Sequence, residues 1–204
     1  MIGCVIVNFL LKIVAASFNR FKAANVNMAC MLLMQAHKNT FCFSVIMDIL
    51  AHFLWVFAIY WQHPKRWLAG FIGFLGDLIA FVPHMIYSFL VGEYIPGKPE
   101  LHLIPQWVFI VYSLTHSLVI FAIVAVIVWY TDRRWFWLLG GWLLHIIIDI
   151  PTHTAEFFPT PFLWPLTEFS FSGISWATGW FMIANYGALA AIYSYLLLRV
   201  PRQA

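Results

Sequence analysis

Charge is scarce in this chain. Only 9% of its 204 residues are Asp, Glu, Lys or Arg, and 63% are hydrophobic. Soluble domains carry about 25% charged and about 45–50% apolar residues. A water-filled surround leaves this much apolar surface with nowhere to go, so a soluble globular class is excluded. The formal net charge of +3 is too small a basic excess to recruit nucleic acid, and no nucleic-acid partner is expected. Cysteine is also sparse. Cys4, Cys30 and Cys42 fit no metal or redox spacing, and no disulfide is read from them. Acid is missing altogether before Asp48. What the chain has instead is a mean hydropathy of +0.86, with eleven Trp and eight Tyr, side chains that anchor at membrane–water boundaries.

The acid-free leader sets a boundary. Residues 1–46 hold five Asn, four Lys or Arg and all three cysteines. Two readings stand for this segment: an extra hydrophobic element, with a helix at 1–18 interrupted by Lys12, or an upstream extension with Met47 as the natural start. A signal peptide is disfavoured, because no basic region precedes the apolar run and no small-residue cleavage site follows it. Residues 47–204 form the expected membrane domain.

A spanning helix needs about 20 mostly apolar residues. Five stretches qualify: 44–62, 67–92 with Pro83 inside, 104–130, the shorter 135–150, and 174–198. The expected fold is therefore all-α, a polytopic bundle of about five transmembrane helices. Three connecting segments are basic: His63-Pro64-Lys65-Arg66, Asp132-Arg133-Arg134, and Arg199 with Arg202. The loops 93–103 and 151–173 hold one cation, Lys98. The positive-inside rule puts the basic segments and the C-terminus in the cytoplasm, as in a prokaryotic inner membrane protein. The loop 151–173 is rich in Pro and Phe, and loops this long usually serve a function.

The few ionisable groups fall in the apolar runs. Such a group costs roughly 2.5–3.5 kcal/mol at the bilayer centre and faces a partner or a watery cavity. On a helix, residues four or seven apart share a face. Asp48 and His52, Asp77 and His84, and His145 and Asp149 are thus three His/carboxylate pairs on three helices, and a fourth helix adds Thr115-His116-Ser117. The topology puts all of them between mid-membrane and the outer face. Imidazole and carboxylate are ligands for divalent metal, and hydroxyls or carboxylates orient such ligands. The inventory fits one zinc ion, or two metals bridged by a carboxylate, an arrangement suited to phosphoester hydrolysis. Each pair alone has a plainer reading, in which Asp and His neutralise one another, and Asp48 also suits the positive end of a helix dipole. Four helices converging on one depth favour a shared site. Gly70, Gly73, Gly76 and Gly140-Gly141 permit close helix approach.

These residues resemble the YdjM-type family of LexA-binding, inner-membrane-associated metal-dependent hydrolases. The likeness covers about residues 47–170. It rests on His52 in MDILAHFLW, on Thr115-His116-Ser117, on Gly141-Trp-Leu-Leu-His145-Ile-Ile-Ile-Asp149-Ile-Pro-Thr152, and on Leu163-Trp164-Pro165. It favours Met47 as the start. The chain departs from the family's Pro-Asp-x-Asp-His, having Gly76-Asp77-Leu78-Ile79-Ala80, and from the Arg-Gly before Thr-His-Ser, having Ser113-Leu114. His84 is one substitute for the missing ligand. The resemblance implies a zinc-dependent hydrolase acting on a phospholipid-like ester.

The expectation is then a divalent metal, zinc by type, held by His52, Asp77, His116, His145 and Asp149. Asp48, His84, Thr115, Ser117 and Thr152 would stand behind these ligands. Glu156 or His153 would shuttle protons. Metal-activated water would attack a phosphoester or lipid-like ester of an amphiphile arriving from membrane lipid, with loop 151–173 as a shield. The rival classes are a metal or proton transporter and a non-catalytic membrane scaffold. The transporter needs polar groups continuing to the cytoplasmic side, but the stretches Ala122 to Trp129 and Tyr193 to Leu198 are almost purely apolar.

Overall fold

A computed structural model of the chain describes residues 48–93 and 101–199; both readings of segment 1–46 lie outside the described residues, as does most of the loop 93–103. The described part is helical, with no strand. We label its helices α1 (Asp48–Ile59), α2 (Arg66–Leu90), α3 (Gln106–Thr115), α4 (Leu118–Thr131), α5 (Arg133–Thr152) and α6 (Gly179–Arg199). Helix α5 contains a 3-10 turn, Trp137–Leu139. Three helices, α2, α5 and α6, are long and apolar enough to cross a membrane, and α3 with α4 makes a fourth if the bent pair is one span. Five full spans are not found among the described residues, where α1 is a shorter apolar helix below spanning length.

The predicted third span, 104–130, is broken rather than continuous. Helices α3 and α4 meet at 54°. The break has a local cause. His116 ends α3, its N–H bonded to the carbonyl of Tyr112. Ser117 turns extended and caps α4, its Oγ accepting from the N–H groups of Val119 (3.1 Å) and Ile120 (3.2 Å). Such a cap satisfies backbone donors that have no partner within the helix. By contrast α2 runs straight through Pro83. The last helix starts at Gly179, five residues later than expected.

The basic segments gather at one end. Lys65 lies over the Trp135 ring at 4.6 Å, and Arg133 over Trp129 at 4.4 Å. Arg134 pairs with Asp132 at 2.7 Å, and its hydrogen bonds hold the Asp132 carboxyl down at about 2. Leu196, near the end of α6, lines a cavity with Tyr60, Gln62, His63 and Trp137. Three turns that hydropathy separates along the chain thus share one edge of the bundle.

Helix α2 is the centre, packed on α3 and on α5. The expected glycine contacts are present. A Cβ on Gly141 would lie 2.4 Å from the backbone oxygen of Ala69, so any side chain there would push α5 off α2. Two apolar clusters flank the middle. Val56, Ala69 and Leu138 fill the side nearer the basic end. Ala80, Ile104, Val108, Tyr112 and Phe158 fill the other. Between them lies a polar layer.

Candidate metal centre

That layer is set by register. Asp77 lies eleven residues after Arg66, His145 eleven after Arg134, and His52 eleven before His63. At 1.5 Å per residue Asp77 sits about 16 Å from the basic edge along α2, and His145 and His52 meet it at that level. The α3–α4 break brings His116 to the same level. All five residues expected as ligands are buried: His52 and Asp77 almost wholly, His116, His145 and Asp149 completely.

Their distances define one convergent group. One ligand atom each from Asp77, His116, His145 and Asp149 lies within 4.8 Å of the others. Asp149 Oδ2 is 3.1 Å from His116 Nε2 and 3.3 Å from His145 Nε2. Asp77 Oδ1 is 3.4 Å from His116 Nε2 and 3.9 Å from His145 Nε2. The two imidazole nitrogens are 2.9 Å apart. A tetrahedral ion bound by imidazole and carboxylate at about 2.0–2.1 Å sets its ligand atoms about 3.3–3.4 Å apart. The observed separations bracket that value. His52 joins from α1, its Nε2 3.0 Å from Asp149 Oδ1. The residues fit a divalent cation.

Two further features point the same way. The tautomer of His116 is fixed. Its Nδ1 lies 2.9 Å from the carbonyl oxygen of Tyr112, a group that only accepts, so Nδ1 carries the proton and, in the neutral ring, the Nε2 lone pair faces the cluster. Thr115 Oγ1, 2.9 Å from the same Nδ1, adds a second contact. Ligand imidazoles are commonly oriented in this manner. Asp149 is the other feature. Both its oxygens are buried without a hydrogen bond, as are both ring nitrogens of His52 and Nδ1 of His145. A buried carboxylate without hydrogen bonds is expensive. Around Asp149 three imidazole nitrogens crowd within 3.3 Å, a packing of donor atoms that a cation between them would satisfy.

Behind the ligands the outcome differs residue by residue. Thr115 does contact a ligand. Asp48 comes closer than a supporting role requires, its Oδ1 3.8 Å from His52 Nε2, within a second group formed with His52 and Asp77. Ser117 is not behind a ligand: its hydroxyl donates to the carbonyl of Trp164 and caps α4. Thr152 returns its hydroxyl to the Ile148 carbonyl at 2.9 Å. His84 does not replace a ligand. It pairs with Ser88 at 3.4 Å and stands edge-on to Trp107, because seven residues on one face still separate it from Asp77 by about 10 Å along the axis. His153 stays near, with Nδ1 3.8 Å from Asp149 Oδ1. Glu156 is exposed in the loop and is not brought to the cluster.

Sequence reasoning missed Tyr112. Its ring stacks on that of His116 at 3.8 Å between centroids, its carbonyl fixes the tautomer, and its hydroxyl donates to Phe158 O at 3.1 Å. Its position four residues before His116 was the available signal. The Pro/Phe loop is tied to the site rather than draped loosely. Gly173 N bonds His153 O (2.7 Å), Trp176 N bonds Thr152 O (3.0 Å), and Leu118 N bonds Phe162 O (2.9 Å).

Compared with known protein families, with curated proteins and with solved structures, the chain matches none of them. The described residues nevertheless establish helices able to cross a membrane and a buried group of Asp77, His116, His145 and Asp149 able to hold a metal ion.

Proposed function

We propose that this protein is an integral membrane metal-dependent hydrolase of the YdjM type, acting on a phosphoester or lipid-like ester. The observation that carries the reading is the convergence of five buried His and Asp side chains, from α1, α2, α5 and the α3–α4 break, with the nitrogens of His52, His116 and His145 all 3.0–3.3 Å from the Asp149 carboxylate. A bound divalent cation, zinc by ligand type, supplies Lewis acidity and lowers the pKa of a coordinated water to about 7. The chain's own residues do the rest. His116, held by Tyr112 and Thr115, keeps its Nε2 lone pair available. Asp77 and Asp149 offset the cation's charge. His153, beside Asp149 and in the loop-facing turn, is the group positioned to pass a proton. The loop 153–178, fastened to α5 and to the α3–α4 break, keeps bulk water from the layer. An amphiphile delivered from membrane lipid suits a site inside a helix bundle.

The same reading puts the basic edge, with Arg66, Arg134 and Arg199, in the cytoplasm of an inner membrane, and the metal layer toward the outside. A transporter is the weaker alternative, because the end of the bundle holding Val56, Ala69 and Leu138 is packed apolar and offers ions no relay.

The test is metal content and hydrolysis by the full chain purified in detergent. Wild type is expected to retain a divalent metal and to cleave short-chain lipid phosphoesters or carboxylic esters, with chelator and His145→Ala abolishing both. Equal metal content in wild type, His145→Ala and Asp149→Ala would overturn the ligand assignment. Retained metal with no cleavage of either ester class would overturn the hydrolase reading.

A further inference from the structure

The buried group has a property that matters for reactivity. Asp77, His116, His145 and Asp149 already supply four ligand atoms, the number that closes a tetrahedral site. Closed four-ligand sites are structural, and reactive ones keep a position open. Yet the ligating side chains do not end there. His52 is buried to 1% exposure, with neither ring nitrogen hydrogen-bonded. Its Nε2 faces the other oxygen of Asp149, Oδ1, at 3.0 Å, whereas Oδ2 faces His116 and His145. Asp48 Oδ1 lies 3.8 Å from the same His52 nitrogen, and Asp48, His52 and Asp77 form a second group with ligand atoms within 4.8 Å of one another.

We propose a second divalent-cation site at Asp48 and His52, joined to the buried one by the two oxygens of Asp149 and by Asp77. This inference rests on the metal-centre reading above and assigns its reactive half. Carboxylates shared in this manner hold two ions about 3.5–4 Å apart. The second site is the more open one: the Asp48 side chain is 16% exposed, against none for Asp149. It supplies fewer protein ligands of its own, which leaves positions for water and for an ester oxygen. The substrate class that follows is a phosphoester, whose two reacting oxygens suit a pair of cations. In this arrangement Asp48 is a ligand rather than the support that its helix-start position suggests.

Manganese provides the readout. The full chain in detergent, loaded with Mn²⁺ alone, is expected to bind two ions and to give the exchange-coupled electron paramagnetic resonance signal of a close pair. Asp48→Asn, isosteric and at the more open site, is expected to bind one ion and give the six-line spectrum of isolated Mn²⁺. His145→Ala should weaken the buried site instead. One ion and an uncoupled spectrum in wild type would overturn the second site while leaving the first standing. A coupled pair that persists in Asp48→Asn would overturn the role of Asp48. Absence of any bound ion in wild type would overturn both. The wild-type spectrum decides the main point even if a variant folds poorly.

Discussion

Helices α5 and α6 are near equals by length, 20 and 21 residues, and both are apolar enough to span a membrane. They differ in what they turn inward. A third of the most apolar stretch of α5 is buried, against 6% for α6. Helix α5 carries His145 and Asp149 into the centre and brings its backbone hard against α2 at Gly141. Helix α6 has no Asp, Glu or His, and it is tied to α1 by Trp55 Nε1 donating to Asn185 Oδ1 (2.8 Å) and Tyr193 OH donating to Leu54 O (2.8 Å). The comparison teaches that hydropathy alone does not rank spans by role. A span committed to a site is recognised by its close-packed face and by ionisable groups that its own turn cannot satisfy.

The largest expected difference between the two helices comes from removing Asp149. Taking one partner out of a buried charge network costs about 3–5 kcal/mol, and here it also removes the residue that lies beside four imidazoles, His52, His116, His145 and His153. Asp149→Ala is expected to lose bound metal and to lower the thermal unfolding midpoint well below that of wild type. Chelation should move wild type in the same direction, because a ligand at 1,000 times its Kd stabilises by about 4 kcal/mol. Chelator should leave the midpoint of Asp149→Ala unchanged. A chelator-sensitive Asp149→Ala would show that the metal sits elsewhere.

A matched pair of glycines sharpens the contrast next. In Gly141→Ala the new Cβ meets the Ala69 carbonyl oxygen at 2.4 Å, and backbone cannot step aside. Overpacking of this kind costs about 1–3 kcal/mol, and separating α5 from α2 should also weaken metal binding. In Gly187→Ala on α6, nothing lies within 4 Å, and replacing a mid-helix glycine gains about 0.5–1 kcal/mol. Opposite signs in the unfolding midpoint are the expected result. Equal effects would mean that α5 is not the tightly packed partner.

Much of the site was legible because it depends on counting. The i, i+4 spacing of His145 and Asp149 and the shared depth of the His and Asp residues in the apolar runs follow from helix geometry and the positions of the basic turns. What stayed hidden depends on partners far away in sequence. The run 104–130 has no Pro or Gly after Pro105, so nothing local announces the break at His116. The break is held by Phe162 and Trp164, which receive the Leu118 N–H and the Ser117 hydroxyl from about forty-five residues away. His84 failed for the opposite reason: periodicity gave its face correctly but said nothing of height along the axis. Adjacency puts Ser117 and Thr152 close to His116 and Asp149, whereas their hydroxyls serve backbone groups.

A smaller effect tests how the α3–α4 break serves α5. Thr115→Val keeps the shape but removes the hydroxyl 2.9 Å from His116 Nδ1. Partners of ligating imidazoles are worth about 10–100-fold in metal affinity. The Tyr112 carbonyl still holds the proton on Nδ1, so a loss near the lower end, about 10-fold, is expected in a metal titration. An unchanged affinity would mean that the carbonyl alone orients the ring.

The smallest effect belongs to the caps and tethers at the margins of the two helices. Asn185→Ala removes the one side-chain bond from α6 to Trp55, worth about 1 kcal/mol, and should leave metal content untouched. At the start of α5, Asp132 caps through Oδ1 to the Arg134 N–H at 3.1 Å, and its carboxyl is held at about 2. A depressed carboxyl contributes only while ionised, so its contribution is complete above the ordinary value near 3.8 and fades as pH falls toward 2. Asp132→Asn should therefore match wild type most closely at the acid end of a stability–pH profile and differ slightly above pH 4. A difference that grows toward acid would show that another carboxylate governs that limb.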